Sequence, residues 1–147
     1  MFVISATAIR RLSNTLPVEP LWLSYERLLT VHGIQIERFR GVPGVKDRNL
    51  VESALSNPRN LFHYDDVDDL LTLAVRLCYA IAKNHGFNDG NKRTAFAGMG
   101  VFLELNGFTI AMNDDTLAGR MVEGLIDGSI SEEEFADDIA PWIVCLG

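Results

Sequence analysis

The sequence predicts an all-α protein, a bundle of helices built around a helix-loop-helix. Apolar residues recur at spacings of three and four over most of the chain from Leu21 onward, which is the periodicity of helices with one buried face. Residue types that begin or end helices flank these segments. The chain has 147 residues, 48% of them apolar, which is enough for one substantial core. We therefore expect a single domain over residues 21–147.

The first two helices are expected before the central pair. Residues 21–40 have apolar positions at helical spacing, and Gly33 is expected to bend or divide this helix. Asp47 can cap a short second helix, because its side chain can accept a hydrogen bond from a free backbone N–H group. Pro58 is expected to follow the end of that helix.

Two longer helices should form the centre of the bundle. Asp65-Asp66 introduces the first of them, and Gly86 is placed where it should stop. Asn106-Gly107 closes the second. The apolar positions that predict the two helices are Leu70, Leu71, Ala74, Val75, Leu77, Cys78, Ile81, Ala82, Ala95, Met99, Phe102, Leu103 and Leu105.

The rest of the chain predicts one short extended segment and two further helices. Residues 108–110 form the extended piece, and Asp114 can cap a helix that runs to Leu125. Ser131 and Glu134 have the spacing of a capping box at the start of the last helix. That helix is expected to carry Phe135, Ile139, Trp142 and Ile143.

Residues 85–94, which join the two central helices, concentrate groups suited to phosphate chemistry. Asp89 or Asn91 can cap the second helix, whose first turn presents free backbone N–H groups and so attracts anions. Lys92 and Arg93 add two positive charges at the same place. The segment therefore predicts a site that handles phosphate.

Three side chains of this loop have separate predicted roles. Asp89 fits as a magnesium ligand, because that ion takes one or two carboxylates together with phosphate oxygens. His85 can serve as a general base toward an attacking hydroxyl, because a histidine side chain titrates near neutral pH. Phe87 is expected to turn inward and anchor the loop. Each residue alone would fit a cap or a solvated surface group, but the ordered set favours an active site.

Other motifs fit less well. A Walker A loop requires Gly-x-x-x-x-Gly-Lys-Ser/Thr, whereas Asn91 separates Gly90 from Lys92 here. A zinc site requires several closely spaced ligands, whereas the three histidines stand far apart and the two cysteines form no Cys-x-x-Cys pair. Cys78 lies on an apolar helix face and predicts a core thiol, which suits a reducing, cytoplasmic compartment.

Composition argues against two classes of partner. A net charge of −7 disfavours nucleic acid, because binding phosphate backbones takes a basic surface. No apolar stretch reaches the length of a membrane span. Residues 1–20 contain Arg10 and Arg11 and no acidic residue before Glu19, and they predict an N-terminal extension outside the domain.

The run His85-Gly86-Phe87-Asn88-Asp89-Gly90-Asn91-Lys92-Arg93-Thr94 resembles the signature of the Fic/Doc superfamily, His-x-Phe-x-(Asp/Glu)-Gly-Asn-(Gly/Lys)-Arg. It is most similar to the Doc (death-on-curing) toxins, which read His-x-Phe-x-Asp-(Ala/Gly)-Asn-Lys-Arg-Thr. Residues 41–55 and 106–108 extend the resemblance, which covers about residues 21–147. It implies a helical bundle with a central helix-loop-helix active site and a small extended flap.

The resemblance also implies a role for each matching residue. His85 looks like the base that deprotonates a Ser, Thr or Tyr hydroxyl of a protein target, and Asp89 looks like the ligand of Mg²⁺. ATP is the implied substrate, and its phosphates would contact Asn88, Gly90, Asn91, Lys92 and Arg93. The implied flap docks the target chain as an added strand and consists of Val42, Pro43, Gly44, Val45 and Lys46.

Two positions bear on the reaction. Adenylyl-transferring members of the superfamily have Gly where this chain has Lys92, and a second Arg where it has Phe96. The Lys92 side chain would fill the space of the α-phosphate, and Phe96 offers no clamp for the terminal phosphates. Both departures favour a reversed nucleotide, with its γ-phosphate beside His85 and a phosphorylated protein as product.

The resemblance then implies a Doc-like toxin kinase that acts on elongation factor Tu, blocks translation and is neutralised by a small antitoxin protein. One alternative is a Fic-like protein adenylyltransferase. The other is a catalytically silent binding module, which is disfavoured because the whole catalytic set is present. Ser129 to Glu133 has the spacing of an internal inhibitory helix but is better explained as a helix start, so restraint is expected from another chain.

Overall fold

The computed structural model describes residues 18–147, which fold into six α-helices, one 3₁₀ turn and a small antiparallel sheet. The elements in chain order are α1 (Tyr25–Phe39), α2 (Arg48–Tyr64), α3 (Leu70–Asn84), α4 (Asn91–Leu105), β1 (Phe108–Ile110), α5 (Asp115–Asp127), α6 (Glu132–Ile139), the 3₁₀ turn (Ala140–Trp142) and β2 (Ile143–Cys145). The all-α class predicted from the sequence is confirmed.

Helix α3 lies at the centre of the bundle because it is apolar on nearly every face. Ten of its 15 residues are buried, whereas a surface helix buries a single stripe. Helices α2, α4, α5 and α6 all pack against it. Cys78 is one of these buried residues, and burial raises the pKa of its thiol far above the usual range, which confirms the predicted core thiol.

Side-chain caps begin three helices where the sequence predicts them. The Asp47 carboxylate accepts a backbone hydrogen bond from the first turn of α2, and the Asp114 carboxylate does the same for α5. The capping box of Ser131 and Glu134 is present at the start of α6. Each of these caps satisfies N–H groups that a helix cannot satisfy itself.

Two predicted breaks lie inside continuous helices. Helix α1 runs through Gly33, because a glycine costs a helix only about 1 kcal/mol and the buried residues Leu28, Val31 and His32 hold the helix against the core. Helix α2 runs through Pro58, which is buried within it. Burial of that face therefore outweighs the one backbone hydrogen bond that a proline removes.

Two other predicted boundaries are also corrected. Asp65 ends α2, and Asp66 has a left-handed φ of 56°, so α3 begins only after Asp69. The last helix ends at Ile139, since Pro141 lies in the following 3₁₀ turn. Trp142 belongs to that turn and Ile143 to β2, not to the helix.

The predicted extended segment is β1, and β2 is its partner. Their register pairs Phe108 with Cys145 and Ile110 with Ile143. The sheet ties the last residues of the chain to the end of α4, where Asn106 and Gly107 close the helix as predicted.

The predicted N-terminal extension falls largely outside the described residues, since residues 1–17 are not among them. Of residues 18–20, Glu19 contacts the His63 ring of α2, with 2.8 Å between Oε1 and Nε2. Within residues 18–147, no helix combines the length and the apolar character needed to cross a membrane.

Leu77→Ala is expected to lower the free energy of unfolding by about 2–5 kcal/mol, because it removes a fully buried side chain from the central helix and leaves a cavity. Leu77 is 1% exposed, whereas Leu21 is 63% exposed. Leu21→Ala is therefore the matched control and should change little. Urea unfolding measures both values, and equal losses would contradict the central position of α3.

Candidate active site

Residues 85–90 join α3 to α4 at one end of the central helix pair. Helix α3 ends at Asn84, and His85 follows with φ 52° and ψ 47°. This left-handed residue stops the helix one position before the predicted Gly86, because it breaks the ladder of helical hydrogen bonds. Its ring is exposed and lies at the edge of a cleft.

Helix α4 begins without the predicted side-chain cap. Gly90 is its N-cap residue, with φ 71°, and no side chain accepts a hydrogen bond in that position. Of the two predicted caps, Asn91 is already the first residue of the helix, and the Asp89 carboxylate accepts a hydrogen bond from Gly90 N–H at 2.8 Å. Glycine adopts this left-handed conformation at the start of a helix without steric cost, because it has no Cβ atom.

The side chain of Asn91 closes the loop onto the backbone of Phe87. Asn91 is 7% exposed. Its Oδ1 accepts the Phe87 N–H at 3.0 Å and its Nδ2 donates to the Phe87 carbonyl at 3.0 Å. Phe87 is fully buried, which confirms that its ring turns inward, as predicted. The Asn91 amide is used within the loop, and its role toward phosphate stays a prediction.

The same amide orients His85. Because Phe87 fixes both amide atoms, the group that faces the His85 ring is the Nδ2 donor, 3.4 Å from Nδ1. This contact directs the His85 ring toward the cleft, whichever ring nitrogen carries the hydrogen.

The Asp89 carboxylate is held by two backbone N–H groups. Its Oδ2 accepts from Val42 at 3.0 Å and its Oδ1 from Gly90 at 2.8 Å. These bonds, with a smaller effect of the Arg93 charge, hold the pKa of Asp89 below its usual range. The carboxylate is exposed beside the cleft and is ionised at neutral pH.

The predicted flap runs beside the loop as a partner strand. Val45 pairs with Phe87 in an antiparallel bridge. On either side of it, Lys46 N–H donates to Gly86 O at 2.8 Å and Asn88 N–H donates to Gly44 O at 3.1 Å. Main-chain groups alternate between the two edges of a strand. The N–H and C=O of Val45 therefore face the edge away from the loop.

Glycines allow the flap to approach this closely. A Cβ atom on Gly41 would lie 2.7 Å from Asp89 Oδ2, and one on Gly44 would lie 2.9 Å from Asn88 Nδ2. That Nδ2 donates to the Pro43 carbonyl at 3.0 Å, so the Asn88 side chain contacts the flap. A role of Asn88 toward phosphate stays a prediction.

A cleft of about 810 Å³ opens between the loop, the end of α1 and helix α5. Pockets of several hundred cubic ångströms hold ligands of the size of a nucleotide. All five predicted phosphate-binding residues line it, together with His85 and Asp89. Its basic residues are Arg38, Lys92, Arg93 and Arg120, and its acidic residues are Asp89, Asp114, Asp115 and Glu123.

The two cations in the first turn of α4 lie against different walls of the cleft. Lys92 Nζ is 3.4 Å from Glu123 Oε1 of α5. The Arg93 guanidinium carbon lies 4.2 Å from the centre of the Phe39 ring of α1. Phe96, one turn further along α4, is half-buried and lines the cleft. The cleft thus has a basic side chain on each side of the helix end.

His32 of α1 also contacts the loop, although it was not predicted as a site residue. This residue is buried, and its Nε2 lies 2.8 Å from the Asp89 carbonyl oxygen. Its ring stacks on Phe87 with the centroids 3.9 Å apart. One signal could have revealed it: His32 lies four residues after Leu28, on the apolar face of its helix, where a polar residue needs a partner.

A family model supports the resemblance seen in the signature. The model of the Fic/DOC family matches residues 22–103, more than half of the chain. This range contains the flap and the whole loop. The chain therefore belongs to the Fic/DOC family.

Two curated relatives are similar to this chain. Protein kinase doc of Escherichia phage P1 is 31% identical over 117 residues, which cover 80% of this chain and 91% of that protein. Toxin Doc of Mycolicibacterium smegmatis is 35% identical over 95 residues, which cover 64% of this chain and 71% of that protein. Both names agree with the Doc branch that the signature indicates.

Gly41→Ala is expected to separate the flap from Asp89, because the added methyl group would overlap Oδ2. The pKa of Asp89 should then rise toward the ordinary carboxyl range, since the Val42 N–H contributes most to its lowering. NMR titration of the Asp89 carboxyl carbon in both proteins measures this shift.

Gly33→Ala is the matched control, since no atom lies within 4 Å of a Cβ at that position. A carboxyl whose pKa is depressed on folding stabilises the folded state above its unfolded-state pKa, and this contribution is lost as the pH falls through the folded pKa. Gly41→Ala should reduce that acid sensitivity and Gly33→Ala should not. An unchanged pKa of Asp89 in Gly41→Ala would show that the flap does not hold the carboxylate.

Proposed function

We propose that this protein transfers the γ-phosphate of ATP to a hydroxyl of a protein target, elongation factor Tu, and thereby blocks translation in the cytoplasm. The observation that carries the proposal is the pair Lys92 and Phe96 beside His85 and Asp89 in one cleft. The relative from phage P1 is named a protein kinase, and this name supports the same reaction.

His85 is the proposed base. Its ring contacts the Asn91 amide and is exposed at the cleft, where a hydroxyl of another chain can reach the ring. The hydroxyl oxygen attacks the γ-phosphorus, and the bond from this phosphorus to the bridging oxygen of ADP breaks. The hydroxyl proton passes to His85, and ADP leaves.

Asp89 fits a magnesium ion held together with the nucleotide. Both its oxygens keep free lone pairs after accepting one backbone hydrogen bond each, and the carboxylate is ionised. Within residues 18–147, no group of three or more His, Cys, Asp or Glu side chains could hold a metal alone. The remaining ligands would be phosphate oxygens and water. When bound, Mg²⁺ would neutralise charge on the phosphates.

The start of α4 is the proposed phosphate seat. The first turn of a helix has N–H groups without helical acceptors, and they point in the direction that favours an anion. Lys92 and Arg93 belong to this turn, and their side chains extend toward Glu123 of α5 and Phe39 of α1. The exposed Lys92–Glu123 pair is weak, so Lys92 can exchange Glu123 for a phosphate at little cost.

The next turn of α4 supports a proposed orientation of ATP. Phe96 presents an apolar ring to the cleft where a second arginine would grip the terminal phosphates during AMP transfer. Lys92 adds bulk and charge where that reaction leaves room for the α-phosphate. We therefore favour the orientation with the γ-phosphate beside His85, and AMP transfer is the alternative.

The flap is the proposed docking strand for the target. The outward N–H and C=O of Val45 are the groups that strand addition would use, and Val45 pairs with Phe87, two residues from His85. A target segment bound there would present its hydroxyl near the base. Residues 42–46 would then set the register of the target.

The proposed regulator is a small antitoxin protein. The relative from M. smegmatis is named a toxin, which supports a role in a toxin–antitoxin pair. The Ser129 to Glu133 pattern does not form an internal inhibitory helix, because Ser131 caps α6 and Glu133 lies in its first turn. Restraint by a second chain fits this arrangement.

The deciding experiment uses ATP labelled either on the γ-phosphate or on the α-phosphate, with purified elongation factor Tu as acceptor. Label from the γ-position only, with an increase in target mass of one phosphate, is the expected result. The His85→Ala protein is the control for adventitious labelling. Label from the α-position would overturn the assignment in favour of AMP transfer, and label from neither would reject this target.

His85→Ala should lower the rate of transfer ~10²–10⁴-fold, the range for loss of a general base, and leave nucleotide binding nearly intact. Arg93→Ala should weaken nucleotide binding as well, because it removes a cation from the phosphate seat. The matched control is His63→Ala, at an exposed histidine of α2 outside the cleft. Transfer at the parent rate by His85→Ala would remove His85 from the mechanism.

A further inference from the structure

His32 is a buried histidine that contacts the active-site loop twice. It is 4% exposed. Its Nε2 lies 2.8 Å from the Asp89 carbonyl oxygen, and its ring stacks on Phe87. A carbonyl oxygen only accepts hydrogen bonds, so Nε2 carries the hydrogen and donates it. His32 does not line the cleft and can act on bound substrate only through the loop.

That hydrogen bond fixes the peptide plane between Asp89 and Gly90. In a trans peptide the C=O and N–H groups point in opposite directions, and the described residues contain no cis peptide bond. With the carbonyl held toward His32, the Gly90 N–H points to the opposite side, where it donates to Asp89 Oδ1 at 2.8 Å. The other oxygen of this carboxylate accepts the Val42 N–H at 3.0 Å.

We infer that His32 is a positioning residue of the active site, whose hydrogen bond to the Asp89 carbonyl sets the direction in which the Asp89 carboxylate faces bound Mg²⁺ and ATP. The inference rests on the proposed function, because that function assigns the carboxylate to the cation. It differs from a packing role, which would require only that the ring fill the space against Phe87.

Two substitutions separate positioning from packing. His32→Phe keeps an aromatic ring on Phe87 and removes the donor. His32→Gln keeps an N–H donor near the position of Nε2 and removes the aromatic stack. His63→Phe, at an exposed position on α2, controls for the loss of a histidine elsewhere.

Calorimetric titration with ATP, with and without Mg²⁺, is the first measurement. His32→Phe should weaken the binding of Mg²⁺–ATP about 10-fold or more, as loss of a partner that orients a metal ligand does, and should change the binding of ATP alone much less. His32→Gln should recover most of the loss. Equal weakening in the Phe and Gln variants, or parent-like binding by the Phe variant, would overturn the inference.

The amide resonance of Gly90 is the second measurement, and it needs no substrate. His32→Phe should shift it, because the peptide plane is no longer held, whereas His63→Phe should leave it unchanged. If the parent protein binds no Mg²⁺–ATP, the proposed function fails, and the resonance still decides whether His32 sets the plane. An unshifted Gly90 signal in His32→Phe would contradict the inference.

Discussion

The active site depends on one buried amide, that of Asn91. Its oxygen and nitrogen pair with the N–H and C=O of Phe87, as a backbone residue of a neighbouring strand would. Breaking such a pair inside the protein would leave buried polar groups unsatisfied, which costs about 1–3 kcal/mol for each group. The loop therefore keeps one shape. That shape fixes the Phe87 ring in the core and the His85 ring at the cleft.

Because buried hydrogen bonds hold the loop in one shape, the flap can pair with a fixed edge of the loop. Backbone groups of residues 42–47 form hydrogen bonds of 2.8–3.1 Å with residues 86–89, although no regular sheet forms there. One edge of the flap is thereby satisfied and the other stays open at Val45. The open strand edge at Val45 lies close to His85 and Asp89. A target segment docked on this edge would therefore be held at a fixed position relative to the base, His85.

Much of this arrangement could be predicted from the sequence, because its signals are local. Caps such as Asp47 and Ser131, and the inward turn of Phe87 between polar neighbours, depend on residues within one turn of the chain. The failures have a different origin. Pro58 and Gly33 lie inside helices because tertiary burial outweighed local propensity, and the Asp89 carboxylate meets a flap that lies 47 positions earlier in the chain.

The partner of His32 and the side-chain contacts of Asn88 and Asn91 could not be predicted for the same reason. A spacing in the sequence indicates which residues share a helix face, but it does not indicate which carbonyl a buried ring will meet across the fold. The signature identified the residues around the cleft. Their division into those that face the cleft and those that hold the loop required the three-dimensional structure.

An ion pair between Arg38 and Asp115 at the mouth of the cleft is sensitive to salt. Its guanidinium joins the end of α1 to the start of α5 through Asp115 at 3.1 Å, and the two side chains are 60% and 55% exposed. An exposed pair of this kind is worth only ~0–1 kcal/mol and is screened by salt. A polyanion entering between the two helices could therefore take the guanidinium from Asp115 almost without penalty. The Arg38–Asp115 contact at the entrance therefore weakens as the ionic strength rises, whereas the buried hydrogen bonds at the floor of the site are screened much less.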